Sequence, residues 1–298
     1  MPACAELETN EYLKPFPPKA TRLIVTIYGD IVEPRGGVLW MGDLISLCAG
    51  FGVNESLVRT AVSRLVSKGQ LKGEREGRRS YYALTAQARD EYHLAADLFF
   101  GPADSECGWI ITRCTDEARQ NVLHRNGFRA AGGDFYIAAE RPGRPVYGAA
   151  FRSTVLEPGV DLQALLSSTF DLAALARAYS GFVKRFRPMT RLLQETPDGH
   201  AALILRLALV HAYREIRLND PLLPPSVLPA DWPGSEAHRL FAMLYVGLSD
   251  AADAYIGSHL FDRSGPLPQA PEDVKARLDS LASRCRETLT GQGAIADA

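Results

Sequence analysis

Apolar positions recur at helical spacing three times near the N-terminus. The first stretch, TRLIVTIYGDIV, predicts a helix, although its β-branched residues leave a strand possible. Its apolar positions are Leu23, Ile24, Ile27, Tyr28 and Ile31. After the break EPRGG, VLWMGDLISLCAGFG predicts a second helix, and Asn54 is a suitable N-cap for a third helix between Glu55 and Lys68. The segment therefore indicates three consecutive helices.

The third predicted helix has two different faces. At about 100° per residue, the apolar face consists of Leu57, Val58, Ala61, Val62 and Leu65. The opposite face consists of Ser56, Arg59, Thr60, Ser63 and Ser67, with Arg64 beside it. Short hydroxyl side chains let a helix lie deep in a DNA major groove, where an arginine can bind guanine O6 and N7. The second and third helices with the GFGVN turn thus predict a helix-turn-helix.

The next segment, QLKGEREGRRSYYALT, predicts two strands and a tip in which Arg75, Arg78 and Arg79 surround Gly77. Such a wing suits DNA phosphates or an adjacent minor groove. Between Val53 and Tyr82, seven basic residues stand against three acidic ones, a net charge of +4 in a chain of net charge −2. A basic helix face is usually only solvated surface, and a winged helix can also bind protein. The basic wing directly after the hydroxyl-and-arginine helix favours DNA.

The middle of the chain shows a strand-helix-strand pattern. After an amphipathic helix that ends near Pro102, GWIITRCT predicts a strand and DEARQNVLHRNGF a helix capped by Thr115 or Asp116. GGDFYIAAE predicts a second strand, and RPVYGAAFRS can add one more. This β-α-β pattern fits a small ferredoxin-like domain.

From Asp171 onward the pattern is helical to the end of the chain. The four amphipathic segments are DLAALARAYSGFVKRF, HAALILRLALVHAYREIRL, GSEAHRLFAMLYVGLSDAADAYIGSHL and PEDVKARLDSLASRCRETL. The predicted class is α+β with several domains. These are a lead-in (1–20), a winged helix-turn-helix (21–102), a ferredoxin-like domain (103–170) and an all-helical domain (171–298).

Composition and cysteine usage narrow the class of protein. The 298 residues are 46% hydrophobic, which is ample for a buried core. No apolar run reaches the ~18–20 residues of a membrane span, and AALILRLALVHAY is interrupted by Arg206 and His211. The start lacks the order of a signal peptide, so we expect a cytoplasmic protein with no membrane partner. The five cysteines, an odd number without CxxC spacing, indicate reduced thiols.

Two blocks of the sequence are distinctive. The first comprises LIVTIYGDIVEPRGGVLWMGDLISL and NESLVRTAVSRLVSKGQLKGEREGRRSYYALT, and the second is LNDPLLPPSVLPADWPG. Both resemble the PaaX-type transcriptional repressors of phenylacetic acid catabolism. The resemblance implies a winged helix, a ferredoxin-like (Cas2-like) middle domain and a helical C-terminal domain. It also implies repression by binding to operator DNA and release by a CoA thioester, phenylacetyl-CoA in the typical member.

The resemblance assigns motif positions at both ends of the chain. The winged-helix motif falls on Arg59, Thr60, Arg64, Gly77, Arg78, Arg79, Ser80, Tyr81 and Tyr82. The C-terminal block falls on Tyr213, Arg214, Asp220, Pro221, Leu223, Pro224, Asp231, Trp232, Pro233 and Gly234. We predict DNA contacts from Ser56, Arg59, Thr60, Ser63, Arg64, Arg75, Arg78, Arg79, Ser80 and Tyr81.

A CoA thioester presents phosphates, an adenine and an acyl group, so its pocket needs cations and an apolar slot. The candidate residues for this effector are Arg185, Arg187, His211, Tyr213, Arg214, Arg217 and Trp232. His211, Arg214 and Arg217 are close in helical register and could converge on one ligand. The alternative is that these residues are solvated or pair with Asp220 and Glu215, and that Trp232 packs at a domain corner.

The expected mechanism is a symmetric homodimer on two half-sites of double-stranded operator DNA. An aryl-CoA thioester then releases it by binding the DNA-free geometry more tightly. A winged-helix regulator of another pathway that senses a different acyl-CoA is one alternative, and an interaction module whose winged helix binds protein is another.

An enzyme is the remaining alternative. A Cas2-like metal-dependent nuclease would need converging carboxylates such as Asp116 or Asp134, but Asp116 is better explained as the start of a helix. The β-α-β segment contains no GxGxxG and no P-loop. We therefore predict no catalytic residue, no metal and no cofactor.

Overall fold

The computed structural model describes residues 18–100, 107–141, 144, 146–156, 160–194 and 197–293. The helices are α1 (Ala20–Ile27), α2 (Met41–Ala49), α3 (Glu55–Ser67), α4 (Ala86–Phe100), α5 (Glu117–Arg125), α6 (Val160–Thr169), α7 (Leu172–Phe186), α8 (Gly199–Arg217), α9 (Pro233–His259) and α10 (Glu272–Gly293). The strands are β1 (Val38–Trp40), β2 (Leu71–Glu76), β3 (Arg79–Leu84), β4 (Trp109–Arg113), β5 (Arg129–Gly132), β6 (Phe135–Ala139) and β7 (Ala149–Ser153). Helices and two small antiparallel sheets confirm the predicted α+β class.

Contacts divide the chain into two compact units. Unit 1 comprises the described parts of Met1–Pro102, Val183–Arg214 and His238–Ala298. Unit 2 comprises the described parts of Ala103–Phe182 and Glu215–Ala237. The division into a lead-in and three domains stays a prediction.

The sheet of unit 1 has the order β1-β3-β2, with both pairs antiparallel. β2 and β3 are paired from Leu71 opposite Leu84 to Glu76 opposite Arg79, so the connecting turn is short. Gly77 lies in that turn with a φ of +57°, which an L side chain adopts with difficulty. The third strand is β1, which pairs Trp40 with Tyr81. The predicted hairpin is therefore anchored on one side by the segment before α2.

Helix α1 forms because its apolar positions share one face. Leu23, Ile24 and Ile27 are fully buried, as are Tyr28 and Ile31 in the π-helical segment Tyr28–Val32 that continues it. This settles the open choice between helix and strand in favour of helix. The π-helical turn also places a carboxylate, Asp30, inside the core of unit 1.

Five buried charged residues of unit 1 form an ionic cluster. Its members are Asp30, Arg35, Arg206, Asp253 and Arg277. Arg206 contacts both carboxylates, with Nε 3.1 Å from Asp30 Oδ2 and Nη1 2.7 Å from Asp253 Oδ1. Arg35 Nη2 donates to Asp253 Oδ1 at 2.7 Å, and Arg277 Nη1 lies 3.3 Å from Asp30 Oδ1. The cluster joins α1, α8, α9 and α10 through charge rather than through apolar contact alone.

The ionic cluster lowers the pKa of Asp30. Burial alone would raise the pKa of Asp30, but Arg206 and Arg277 outweigh burial and hold that pKa below its ordinary value. The Tyr245 hydroxyl also donates to Asp30 Oδ1 at 2.7 Å. A buried carboxylate with this many donors stabilises the fold only as the anion.

Unit 2 contains an antiparallel sheet with the order β5-β6-β4-β7. The predicted second strand, β6, lies directly beside β4 and antiparallel to it, so these two do not close the expected β-α-β crossover. The strand that closes it is β5, parallel to β4 with β6 between them. The segment RAAG was not predicted as a strand because its small residues carry no alternating pattern.

One core cluster of unit 2 lies where α6 and α7 meet β4 and β6. Its buried residues are Trp109, Ala139, Leu166, Phe170, Leu172, Leu223 and Val227. Leu166 belongs to α6, a helix that the sequence analysis did not predict. Trp232 packs against this core, and its ring meets that of Tyr179 edge to face at 6.0 Å. The tryptophan thus packs within unit 2, and its contact with an effector stays a prediction.

Two further predictions concern the chain as a whole. Among the described residues, Cys48, Cys107 and Cys114 form no disulfide, and burial raises the pKa of the Cys48 thiol to about 12. Cys4 lies outside the described residues. In the described part of the chain, no helix has the length and apolar character to span a bilayer.

Candidate nucleic-acid interface

The turn between α2 and α3 sets the position of α3. The Asn54 side chain accepts a hydrogen bond from the Leu57 backbone N–H at 3.0 Å, which caps α3 as predicted. Val53 N–H donates to Cys48 O at 3.1 Å and so closes the turn against α2. Four apolar residues of α3 are buried in unit 1: Val58, Ala61, Val62 and Leu65. The opposite face of α3 is thereby fixed toward solvent.

The exposed face of α3 carries hydroxyl groups and arginines. Its predicted DNA-contacting residues are all exposed: Ser56, Arg59, Thr60, Ser63 and Arg64. Thr60 Oγ1 donates to Ser56 O at 2.9 Å. Arg59 Nη2 lies 2.7 Å from Glu55 Oε1, and both side chains are 57% exposed. Because an exposed ion pair of this kind is weak, the Arg59 guanidinium can exchange Glu55 for another anion.

Leu57 differs from its predicted place on the apolar face, since it is 55% exposed. It lies about 80° around the helix axis from Leu65, at the edge of the buried face and in the first turn of α3. Leu57 therefore stands on the same exposed surface as Ser56. The sequence signal for this was its position at the edge of the apolar face. Apolar side chains in a major groove can contact the thymine methyl group.

The tip of the β2-β3 hairpin carries exposed arginines. Arg75, Arg78 and Arg79 are all exposed, and Arg75 Nε donates to Gly77 O at 3.1 Å. The Arg79 guanidinium lies 5.0 Å from the centre of the Trp40 ring. We call the exposed side chains of α3 and of this tip the basic surface: Ser56, Leu57, Arg59, Thr60, Ser63, Arg64, Arg75, Arg78 and Arg79.

Two predicted DNA-contacting residues lie deeper in the hairpin. Ser80 is half-buried, and Tyr81 is only 5% exposed. The Tyr81 ring packs beneath the Arg263 guanidinium, which also pairs with Glu74 on β2. Tyr81 is therefore buried because Arg263 covers its ring, whereas Arg79 on the same strand stays exposed. The Tyr81 ring is not part of the basic surface.

Three of the predicted effector residues have their polar atoms bonded within the protein. His211 Nδ1 lies 2.9 Å from Thr26 Oγ1 in the core of unit 1. The Tyr213 hydroxyl lies 2.5 Å from His238 Nδ1, and its buried ring stacks on Phe241 at 4.2 Å. Arg217, which is buried and belongs to unit 2, has Nη1 3.3 Å from Asp220 Oδ2, the pairing named as the alternative. A ligand of these residues would have to displace partners that they already have.

Each of the other predicted effector residues has its own surroundings within its unit. Burial lowers the pKa of Arg185 to about 10, and its guanidinium lies 5.0 Å from the Phe186 ring centre. Arg187 is exposed, and Trp232 packs in unit 2 as described above. Arg214 lines a pocket with Arg64. The expected convergence on one ligand stays a prediction.

Comparison with known proteins gives the family. The family described as PaaX-like protein matches residues 19–88, and its C-terminal domain matches residues 170–258. The transcriptional repressor PaaX of Escherichia coli (strain K12) is 31% identical, over 85% of this chain and 87% of its own length. The chain belongs to the PaaX-like family. The resemblance predicted from the two sequence blocks is thereby confirmed.

Membership of the PaaX-like family also decides between a regulator and an enzyme. The E. coli relative is a transcriptional repressor, so the prediction that the chain is not an enzyme is confirmed. The two carboxylates considered for a nuclease have local roles. Asp116 caps α5 by accepting from Arg119 N–H at 2.8 Å, and Asp134 pairs with Arg113 at 3.2 Å. Over the part of the chain that the structure describes, no three potential metal ligands come together.

Proposed function

We propose that the chain is a transcriptional repressor that binds double-stranded operator DNA. The observation that carries this proposal is the basic surface, whose five arginines are all exposed. Relationship to a transcriptional repressor supports it. Arginines on a helix and on a hairpin tip suit base edges and phosphates respectively.

In this proposal, α2, α3 and the β1-β3-β2 sheet form a winged helix-turn-helix. Helix α3 enters the major groove, where Arg59 binds a guanine and the hydroxyls of Ser56 and Thr60 bind bases or phosphates. Leu57 contacts a thymine methyl group at the edge of the same surface. The hairpin is the wing, and Arg78 at its tip binds phosphates or the minor groove.

The remaining architecture follows the family resemblance. The β5-β6-β4-β7 order, with β6 inserted between the parallel strands β4 and β5, supports a ferredoxin-like (Cas2-like) middle domain. We carry forward domains at 21–102, 103–170 and 171–298, and a cytoplasmic homodimer. A symmetric dimer would place two copies of α3 on two half-sites.

We further propose that an aryl-CoA thioester such as phenylacetyl-CoA releases the repressor from DNA in control of aromatic-acid catabolism genes. The ligand must bind the DNA-free form more tightly, and a ~100-fold preference corresponds to roughly 2.7 kcal/mol of coupling. A different acyl-CoA, serving a different pathway, would act through the same linkage.

A second candidate function is protein binding through α3. Leu57 and Val66 are exposed apolar residues on this helix, which is what a protein partner would use. The salt dependence of affinity distinguishes the two functions. DNA binding through several phosphates weakens steeply as salt concentration rises, whereas apolar protein contact does not.

The test is fluorescence anisotropy with labelled DNA from upstream of the chain's own gene, at fixed salt and with unlabelled non-specific competitor. We expect specific binding that is lost on addition of phenylacetyl-CoA. Binding that ignores phenylacetyl-CoA but responds to another acyl-CoA would retain the repressor and change the effector. Absence of specific binding at low salt would refute the repressor and favour the protein-binding function.

A further inference from the structure

An open pocket of about 310 Å³ lies beside the C-terminal end of α3 in unit 1. Four of its lining residues are cations from three helical segments: Arg22 of α1, Arg64 and Lys68 at the end of α3, and Arg214 of α8. Among the described residues, no carboxylate lines it. We call it the basic pocket. It brings a predicted DNA-contacting residue, Arg64, beside a predicted effector residue, Arg214.

The start of α1 adds to the positive character of the basic pocket. Thr21 and Arg22, which line it, lie in the first turn of α1. The N-cap residue Lys19 makes no side-chain capping bond, and in the described first turn there is no acidic residue. The positive end of the helix dipole thus lies at the lining of the pocket. The Thr21 hydroxyl and the Gln70 amide supply neutral donors at the same lining.

We propose that the basic pocket binds a phosphate group. A phosphate group carries up to two negative charges and three acceptor oxygens. Several cations, a hydroxyl and an amide donor, and a helix N-terminus in one concave site can bind such a group. The phosphate has two possible sources, the DNA backbone and a small phosphorylated ligand. Arg64 lies in α3 and Lys68 directly follows it, so a small ligand in the pocket would occupy two cations that could otherwise contact DNA. This competition rests on the proposed function, whereas the phosphate site rests on the pocket lining alone.

The first experiment measures phosphate binding without DNA. Inorganic phosphate and pyrophosphate are titrated calorimetrically into the full chain at constant ionic strength, and the midpoint of thermal unfolding, Tm, is followed in parallel. The wild type should bind saturably, with a Tm rise of about 3 °C at a concentration ~20 times the dissociation constant. Lys68→Gln and Arg214→Gln should each weaken binding about 5-fold or more. Arg239→Gln, an exposed arginine on α9, is the matched control for the loss of one positive charge and should bind like the wild type.

The second experiment separates the two sources by DNA-binding anisotropy. If the DNA backbone supplies the phosphate, Lys68→Gln and Arg214→Gln each reduce the slope of log affinity against log salt by about 1. If a small ligand supplies it, inorganic phosphate displaces DNA from the wild type more than chloride of equal ionic strength does, and Arg214→Gln abolishes this difference. Either result supports the site. The phosphate site is overturned if calorimetry detects no binding, or equal binding in all four proteins. Because calorimetry uses no DNA, this outcome does not depend on the repressor function. Lys68 is exposed, so Lys68→Gln keeps the test valid if Arg214→Gln fails to fold.

Discussion

The substitution Asp30→Asn tests whether the ionic cluster holds unit 1 together. The cluster contains three arginines and two aspartates, so its net charge is +1. Asparagine has nearly the shape of aspartate but raises that net charge to +2. Its amide N–H₂ would also face the Arg206 Nε–H that now donates to Asp30 at 3.1 Å. Leaving a buried charge without its partner costs about 3–5 kcal/mol, which is a large part of a typical stability of about 5–15 kcal/mol.

Urea denaturation followed by circular dichroism measures this loss. With a slope of ~3 kcal/mol per molar urea, the midpoint should fall by about 1–1.7 M without a change in slope. Glu55→Gln is the control, because it removes a carboxylate from an exposed pair and should cost no more than about 0.5 kcal/mol. An Asp30→Asn protein within about 0.5 kcal/mol of the wild type would show that the neighbouring arginines do not depend on this carboxylate, and would refute the reasoning.

The same substitution has a pH signature. The folded pKa of Asp30 is lowered from its ordinary value of 3.8. A carboxyl group with a lowered folded pKa stabilises the fold fully above its unfolded pKa and loses this contribution as pH falls through the folded value. Wild-type stability should therefore drop on acidification below about pH 3.8, and Asp30→Asn should lack this part of the dependence.

Three further predictions concern the DNA interface and its support. Arg59→Ala should reduce the preference for operator over unrelated DNA by about 1–3 kcal/mol. Arg78→Ala should weaken binding to all DNA alike and lower the slope of log affinity against log salt by about 1. Identical behaviour of the two variants in anisotropy titrations would argue against separate roles. Glu55→Gln should tighten DNA binding at low salt several-fold, because it frees Arg59 and removes a negative charge near the phosphates; an unchanged affinity would mean that the pair does not limit binding. Burial raises the pKa of Asp43 to about 6, above its ordinary 3.8, so its contribution to stability should decline as pH rises from about 4 to 6. Asp43→Asn should remove this decline in denaturation curves. A decline that the variant retains would belong to another group.

The long periodic segments could be predicted from the sequence because local pattern and tertiary burial agree there. Helix α3 is the clearest case, since Asn54 caps it and Val58, Ala61 and Leu65 are buried. The missed elements lack such agreement. β5 consists of Arg129 followed by three small residues, and only its pairing with β6 makes it a strand.

The prediction of the DNA interface required knowing which side chains of α3 are exposed. Helical periodicity gives this exposure well at the centre of a helix face and poorly at its edge. Arg59 and Ser63 lie opposite the buried face and are exposed, whereas Leu57 at the edge proved exposed against expectation. Arg206 first appeared only as an interruption of an apolar helix. Its partner Asp30 lies 176 positions away in the sequence, and no local pattern could show that pairing.

The large sequence separation between members of the ionic cluster also has a consequence for folding during synthesis. Arg277 donates to Asp30 across 247 positions of sequence. At roughly 5–20 residues per second of synthesis, Asp30 is added to the chain roughly 12–50 s before Arg277. Until Arg206 is added, 176 positions after Asp30, the buried carboxylate lacks both arginines that donate to it, and the apolar face of α1 lacks the helices α8 to α10. The segment that carries the basic surface is thus translated well before Arg206 and Arg277, which complete the packing around Asp30, so we expect it to need chaperone protection while it waits for them.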